Sequence, residues 1–201
     1  MNQRVIPSHT HGSGPPLARR GLLRLALGAG IGAVTAVRGT GAAAAPIPAP
    51  ATQRWLRLHN TVTGERFDDL YWDGGRPVPD ALASIDWLLR DHHCDRCARM
   101  DVDLLHRLSD LQARLPAHGP IEVLSGYRTA ETNRRLVASG IGASPRSLHM
   151  EARAVDIRAP GVPARTLYRA ALASGPGGVG GYLRRRFVHL DTGPERRWLG
   201  R

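Results

Sequence analysis

From residue 54 onward, apolar and polar positions fall into short blocks of alternating period. Trp55-Leu56-Arg57-Leu58-His59-Asn60 alternates residue by residue, as a half-buried strand does. Thr63-Gly64-Glu65 is a turn, Phe67 to Trp72 reads as the returning strand of a hairpin, and Asp73-Gly74-Gly75 is a second turn. Pro79-Asp80 opens a helix that carries Leu82, Ile85, Trp87, Leu88 and Leu89 towards a core and ends near Arg90-Asp91. Asp103 to Leu115 repeats leucines at helical spacing (104, 105, 108, 111, 115) until Pro116 to Pro120 breaks the run. Ile121 to Leu124 is a short strand that runs into Ser125-Gly126-Tyr127-Arg128. Thr129 with Glu131 opens a helix through Val137, closed by Gly140-Ile141-Gly142. Residues 143–148 then form a loop delivering His149, Ala154 to Ile157 a strand, Pro163 to Ala173 a helix and Gly175 to Gly181 a flexible loop. Arg186 to Asp191 is the last strand expected, with Trp198 near the end. Mixed short strands and helices without internal repeat predict one α+β domain, a small, mainly antiparallel sheet flanked by helices.

The first 45 residues differ in kind. A polar stretch ending in Arg19-Arg20 is followed by the apolar, Gly- and Ala-rich run Leu22 to Val37 and by small residues Ala42 to Ala45. Charged region, apolar region and small-residue cleavage site is the layout of an export leader. Arg19-Arg20 followed by Gly21-Leu22-Leu23 resembles a twin-arginine signal. The apolar run is short for a bilayer span, which needs roughly 20 apolar residues, so no stable membrane span is expected after processing. Residues 46–53 read as a Pro/Ala linker and 54–201 as the functional domain, exported to the periplasm or cell envelope.

Charge narrows the function less than its size suggests. The formal net charge is +11, from 28 basic residues, all arginine, against 17 acids. Five arginines and none of the acids precede residue 46, so the remainder carries 23 arginines against those 17 acids. A nucleic-acid reading rests on Arg184-Arg185-Arg186 and Arg196-Arg197, but no helix-turn-helix or zinc-finger pattern accompanies them. An anionic cell-wall polymer is an equal candidate. Cys94 and Cys97 are the sole cysteines. In an exported protein a local disulfide between them is the expectation, with free thiols or a small second zinc site including His92 and His93 as the alternatives. No motif specifies an oligomer, and a monomer is the working expectation.

The chemistry concentrates in two segments, Leu148 to Ile157 and Phe187 to Asp191. His149 and Asp156 are seven residues apart, too far along one helix to share an ion, but a loop-to-strand arrangement closes the gap. In the strand Ala154 to Ile157, Val155 and Ile157 face the core and Asp156 the other side. In the later strand, Phe187, His189 and Asp191 share one face and Val188 and Leu190 the opposite one. A buried carboxylate needs a partner or a metal. Two imidazoles and a carboxylate suit one zinc ion that keeps a position open for water.

Ser147-Leu148-His149 to Asp156-Ile157 and Phe187-Val188-His189-Leu190-Asp191-Thr192-Gly193 closely resemble the YcbK-like branch of the M15 zinc peptidases. So do Leu88-Leu89-Arg90-Asp91, Ser125-Gly126-Tyr127-Arg128 with Asn133, Gly177-Gly178-Val179-Gly180 and Trp198. The resemblance spans roughly residues 54 to 199 and implies a fold similar to D-alanyl-D-alanine peptidases and the hedgehog domain. It implies His149, Asp156 and His189 as ligands of one Zn2+ and peptidoglycan stem peptides as substrate, with cross-link endopeptidase activity. A D-Ala-D-Ala-type carboxypeptidase and a metal-containing peptidoglycan-binding domain without hydrolysis are the alternatives. The related D-alanyl-D-alanine enzymes place a Glu or His just before the last ligand, whereas this chain has Arg185-Arg186-Phe187, so the general base is open. Asp191 is the first candidate for it, or else supports His189; Glu151 is a weaker one. Arg128 is expected to contact the substrate carboxylate or developing oxyanion, and Tyr127 and Ser147 to donate hydrogen bonds to the peptide. Ala152 stands where the family has Gly, and Gly181 and Leu183 where it has Tyr and Pro.

Overall fold

A computed structural model describes residues 52–200, apart from 117, 118 and 141. The leader and most of the linker lie outside the described residues. The strands are β1 (Gln53–Asn60), β2 (Arg66–Asp73), β3 (Arg76–Pro77), β4 (Ile121–Ser125), β5 (Ala154–Arg158), β6 (Gly178–Tyr182), β7 (Phe187–Asp191) and β8 (Arg196–Leu199). The helices are α1 (Pro79–Leu88), α2 (Val102–Arg114), α3 (Ala130–Ala138) and α4 (Ala164–Leu172), and a single 3-10 turn covers Leu148–Glu151. The α+β architecture matches the sequence expectation, but the sheet is an open one of eight strands in the order β3-β2-β1-β4-β5-β7-β6-β8. β1 with β4 and β6 with β8 run parallel, and every other pairing is antiparallel.

The core forms where the alternation predicts. Leu56 and Leu58 of β1, Val155 and Ile157 of β5, and Val188 and Leu190 of β7 meet the leucines of α2 and Ile85 and Leu89 of the α1 segment. Asp101 caps α2 by accepting from the Asp103 amide, and Thr129 caps α3 by accepting from that of Thr132. α1 stops at Leu88, earlier than its apolar pattern suggests, because the next residues serve other partners. The Leu89 carbonyl accepts from the Tyr127 amide at 2.7 Å. Buried Arg90 binds Glu65 at 2.6 Å and Asp95 at 2.8 Å, and its guanidinium lies 4.0 Å from the centre of the Trp87 ring.

Two expectations fail at the C-terminal end. The glycine-heavy segment is no flexible loop: its second half is β6, between β7 and β8. β7 is not the last strand, because β8 follows it. The glycines are a matter of room. A β-carbon at 178 would overlap the Asp191 carboxylate, one at 180 the Trp198 indole, and one at 181 would crowd Tyr168 and Leu199. A glycine run therefore resembles a loop in sequence while building a strand against bulky neighbours.

Asp91 is 2 % exposed and binds two segments together. One carboxylate oxygen accepts from the Thr129 amide at 2.8 Å and its hydroxyl at 2.9 Å, the other from the His93 amide at 3.1 Å. Burial opposes the charge, but hydrogen bonds from Thr132, Thr129 and His93 outweigh it and hold the Asp91 carboxyl below its usual value. A lowered folded-state pKa contributes stability above the unfolded value, about 3.9, and that contribution is lost as pH falls through the folded value. Asp91→Asn is expected to cost about 1–3 kcal/mol at pH 7 in urea unfolding, with the gap to the natural chain closing below about pH 4.

Candidate metal and catalytic site

The site lies on the sheet face opposite the helix-packed core. β5 and β7 are antiparallel neighbours whose register pairs Asp156 with His189 and Ala154 with Asp191. Directly paired residues have β-carbons about 4.5–5.5 Å apart, so two of the expected ligands are brought together by strand register alone. His149 comes from the 3-10 turn, whose first amides are capped by buried Ser147: its hydroxyl accepts from the His149 amide at 3.4 Å. One ligand atom from each of His149, Asp156 and His189 lies within 4.8 Å of the others.

The imidazoles are turned so that their lone pairs converge. The Nδ1 of His149 lies 2.7 Å from the Gly126 carbonyl, which only accepts, so Nδ1 carries the proton and Nε2 points to the site. The Nε2 of His189 lies 2.8 Å from Asp191 Oδ2, leaving Nδ1 towards Asp156 at 2.9 Å. Imidazole held from behind by a carbonyl or a carboxylate is how metal-binding histidines are oriented. Burial opposes charge on His189, but hydrogen bonds to Asp156 and Asp191 outweigh it and lift its pKa to about 9. Burial likewise opposes the charge on Asp156, yet His149 and His189 hold its carboxyl well below the usual range. Burial pushes the His149 imidazole down. When both its ring nitrogens are protonated, the His189 imidazolium donates to Asp156 from Nδ1 and to Asp191 from Nε2. Two nitrogens and one carboxylate suit zinc.

Asp191 is wholly buried, and every lone pair it offers has a donor. Oδ1 accepts from the Gly178 amide at 3.1 Å and the Gly193 amide at 2.8 Å, while Oδ2 accepts from Arg196 at 2.7 Å and faces His189. This is the environment of an orienting carboxylate and gives no approach for a water. Glu151 is exposed, pairs with Arg153 at 3.3 Å and does not line the cleft. The Arg128 guanidinium donates to Asp156 Oδ2 at 2.5 Å and to the Ser125 hydroxyl at 2.7 Å, on the wall of an open cleft of about 1370 Å³. Ser147 lines the same cleft. Tyr127 does not: it packs against the core, and its amide binds Leu89. Cys94 and Cys97 are both exposed, with free thiols in this structure. Their loop is closed by an Asp91–Arg96 backbone bridge and the Arg90–Asp95 ion pair. Among the described residues, His149, Asp156 and His189 form the sole group of three able to hold a metal, so the alternative second site at His92, His93 and the cysteines is not assembled.

The structure adds residues that the sequence pattern does not single out. Buried Arg107 of α2 donates to the Asp191 main-chain carbonyl and secures the end of β7 from the core side. Its signal was an arginine among the core-facing leucines 104, 105, 108 and 111. Tyr182 lines the cleft beside His189, together with Trp198 and with Phe187, which the alternation already puts on the His189 face.

A family model described as peptidoglycan L,D-endopeptidase MepK, of the peptidase M15 group, matches residues 48–198. The chain belongs to this M15 peptidase family. Peptidoglycan L,D-endopeptidase MepK of Escherichia coli K12 is 37 % identical over 145 residues, 72 % of this chain and 80 % of the relative. The same values hold for the Shigella flexneri protein of that name. A probable peptidoglycan L,D-endopeptidase MepK of Haemophilus influenzae is 34 % identical over 148 residues, 73 % of this chain and 80 % of the relative. No solved structure matches the chain.

Ala152 takes the left-handed conformation at φ 56°. That conformation costs a residue with a β-carbon about 1–2 kcal/mol, while the 2 %-exposed methyl recovers about 0.8 kcal/mol by burial. The two nearly cancel, so Ala152→Gly should shift stability by less than about 1 kcal/mol in thermal or urea unfolding. Asp191→Asn removes the carboxylate behind His189 and is expected to weaken the affinity of the site for a divalent metal about 10- to 100-fold, measured by competition with a chromogenic chelator.

Proposed function

We propose that the chain is a zinc-dependent peptidoglycan endopeptidase that hydrolyses peptide cross-links at the kind of bond for which its relatives are named. The convergence of His149, Asp156 and His189, each held from behind, is the observation that carries this reading. A zinc ion held by those three residues would supply a Lewis acid and lower the pKa of a bound water towards about 7.

The remaining work falls to the chain. Asp191 fixes the His189 ring and its tautomer. Arg128 holds one oxygen of Asp156 and, at the cleft wall, offers its remaining N–H groups to a substrate carboxylate or to the oxygen that gains charge as the carbonyl is attacked. Ser147 shapes the turn that presents His149 and lines the cleft where the peptide runs. An open cleft of about 1370 Å³ lined by the triad leaves room for more than the end of a single stem peptide, which suits a bond inside a cross-link. The cleft carries five arginines and one carboxylate, in keeping with the acidic stem peptides of peptidoglycan. The leader-like residues 1–45 add export to the cell envelope, by a twin-arginine route, and among the described residues no helix is long and apolar enough to cross a membrane.

Incubating the zinc-loaded protein with purified cross-linked peptidoglycan and resolving the products by mass spectrometry tests this reading. Cross-linked dimers should give way to monomers with new termini. His149→Ala, Asp156→Ala and His189→Ala should each lower zinc content by elemental analysis and abolish cleavage. Intact cross-links with tight peptidoglycan binding would make the protein a metal-containing binder, and loss of terminal D-alanine alone would make it a carboxypeptidase.

A further inference from the structure

Hydrolysis of an amide needs a group that takes a proton from the attacking water and later gives one to the leaving amine. No acid or imidazole stands in Arg185-Arg186-Phe187, and the Asp191 carboxylate is saturated by four donors. The cleft lining narrows the choice. Apart from the three metal-site residues, the side chains there that can take up a proton are His92, His93 and Tyr182. The Tyr182 hydroxyl already accepts from the Trp198 indole at 3.3 Å.

The two histidines belong to the loop that follows α1, and the loop is anchored to the site through a short chain of contacts. Asp91 accepts from the Thr129 amide and hydroxyl, and the preceding residue, Arg128, binds Asp156. His92 follows Asp91 directly and is half-buried, whereas His93 is exposed and lies against it, with ring centres 4.2 Å apart and planes tilted by 39°. We propose that His92 is the catalytic proton carrier of this site, working from the cleft wall next to the Asp91–Thr129 anchor. The inference rests on the hydrolytic reading above. In the step it serves, one O–H bond of water breaks and its proton passes to the His92 imidazole while the water oxygen bonds to the scissile carbonyl carbon. As the C–N bond breaks, the imidazolium returns that proton to the departing amine nitrogen, so the products are a carboxylic acid and an amine and His92 is regenerated neutral.

The surroundings suit the role. Burial and the neighbouring His93 push the His92 imidazole below its ordinary value, against Asp91 and Asp95, with Arg90 adding to the downward push. Arg128 and Arg146 are further cations on the same cleft lining. A depressed pKa keeps His92 neutral, and so able to accept, at neutral pH. Activity is present above that pKa and lost as pH falls through it.

The test uses the full zinc-loaded protein and purified cross-linked muropeptide dimers. His92→Asn should lower kcat about 100-fold or more and remove the acid limb from the pH profile of kcat/KM. Zinc content by elemental analysis and calorimetric affinity for an uncleavable peptide analogue should stay as in the natural chain, and added imidazole should restore part of the rate. His92→Gln should behave alike. Retention of kcat within about twofold and of the acid limb in both variants, or transfer of the effect to His93→Asn, would overturn the assignment while leaving the hydrolytic reading intact. A natural chain that leaves the dimers uncut overturns the hydrolytic reading and this inference with it.

Discussion

The pairing of β5 with β7 is the constraint from which the site follows. Because Asp156 lies directly across from His189, a one-residue slip of either strand would turn its own site residue into the core and bring Val155 or Val188 out in its place. The register is held from the core side by Val155, Ile157, Val188 and Leu190, all buried in one apolar cluster. The same alternation that drives those four inward obliges Asp156, His189 and Asp191 onto the other face. Fold stability and ligand placement are thus two consequences of one hydrophobic pattern.

Asp191 converts that placement into orientation. Its carboxylate draws on β6 through the Gly178 amide, on the segment before β8 through Gly193, and on β8 itself through Arg196, and it spends its remaining capacity on His189. Its main-chain carbonyl is taken by Arg107 from α2. The glycines of β6 make this possible, since a side chain at 178 would displace the carboxylate. The cost of burying an aspartate is offset by the donors that surround it, as for other buried charges that persist in proteins. The result is an imidazole that cannot turn over without breaking an ion pair.

Much of this was legible in the chain itself. The period-two alternation of Ala154 to Ile157 and Phe187 to Asp191 carried the face on which Asp156 and His189 meet, and the leucines of α2 carried the main helix. The segment Gly178–Tyr182 was misread because glycine is scored by its backbone freedom, whereas here it is selected for the absence of a side chain against Asp191 and Trp198. Tyr127 adjoins Arg128 in sequence but not on the cleft wall, because its amide docks on Leu89 and its side chain packs against the core. Arg107 went unnoticed because its partner is a main-chain carbonyl 84 positions away, which no local pattern encodes.

The stretch Leu88 to Asp91 shows how a motif without obvious chemistry can matter to catalysis. Leu89 accepts the Tyr127 amide, and a β-carbon on Gly126 would strike the Leu89 carbonyl, so residues 89 and 126 pack backbone against backbone. Gly126 in turn supplies the carbonyl that orients His149. Two residues on, Asp91 grips Thr129 beside Arg128. One short segment therefore braces, through its contacts with residues 126 to 129, both the tautomer of one metal-site histidine and the arginine bound to the metal-site aspartate. A change anywhere along it reaches the site as a shift in position and not as a lost functional group, which is why a conservative substitution at Leu89 or Asp91 has more leverage on the chemistry than its distance in sequence suggests.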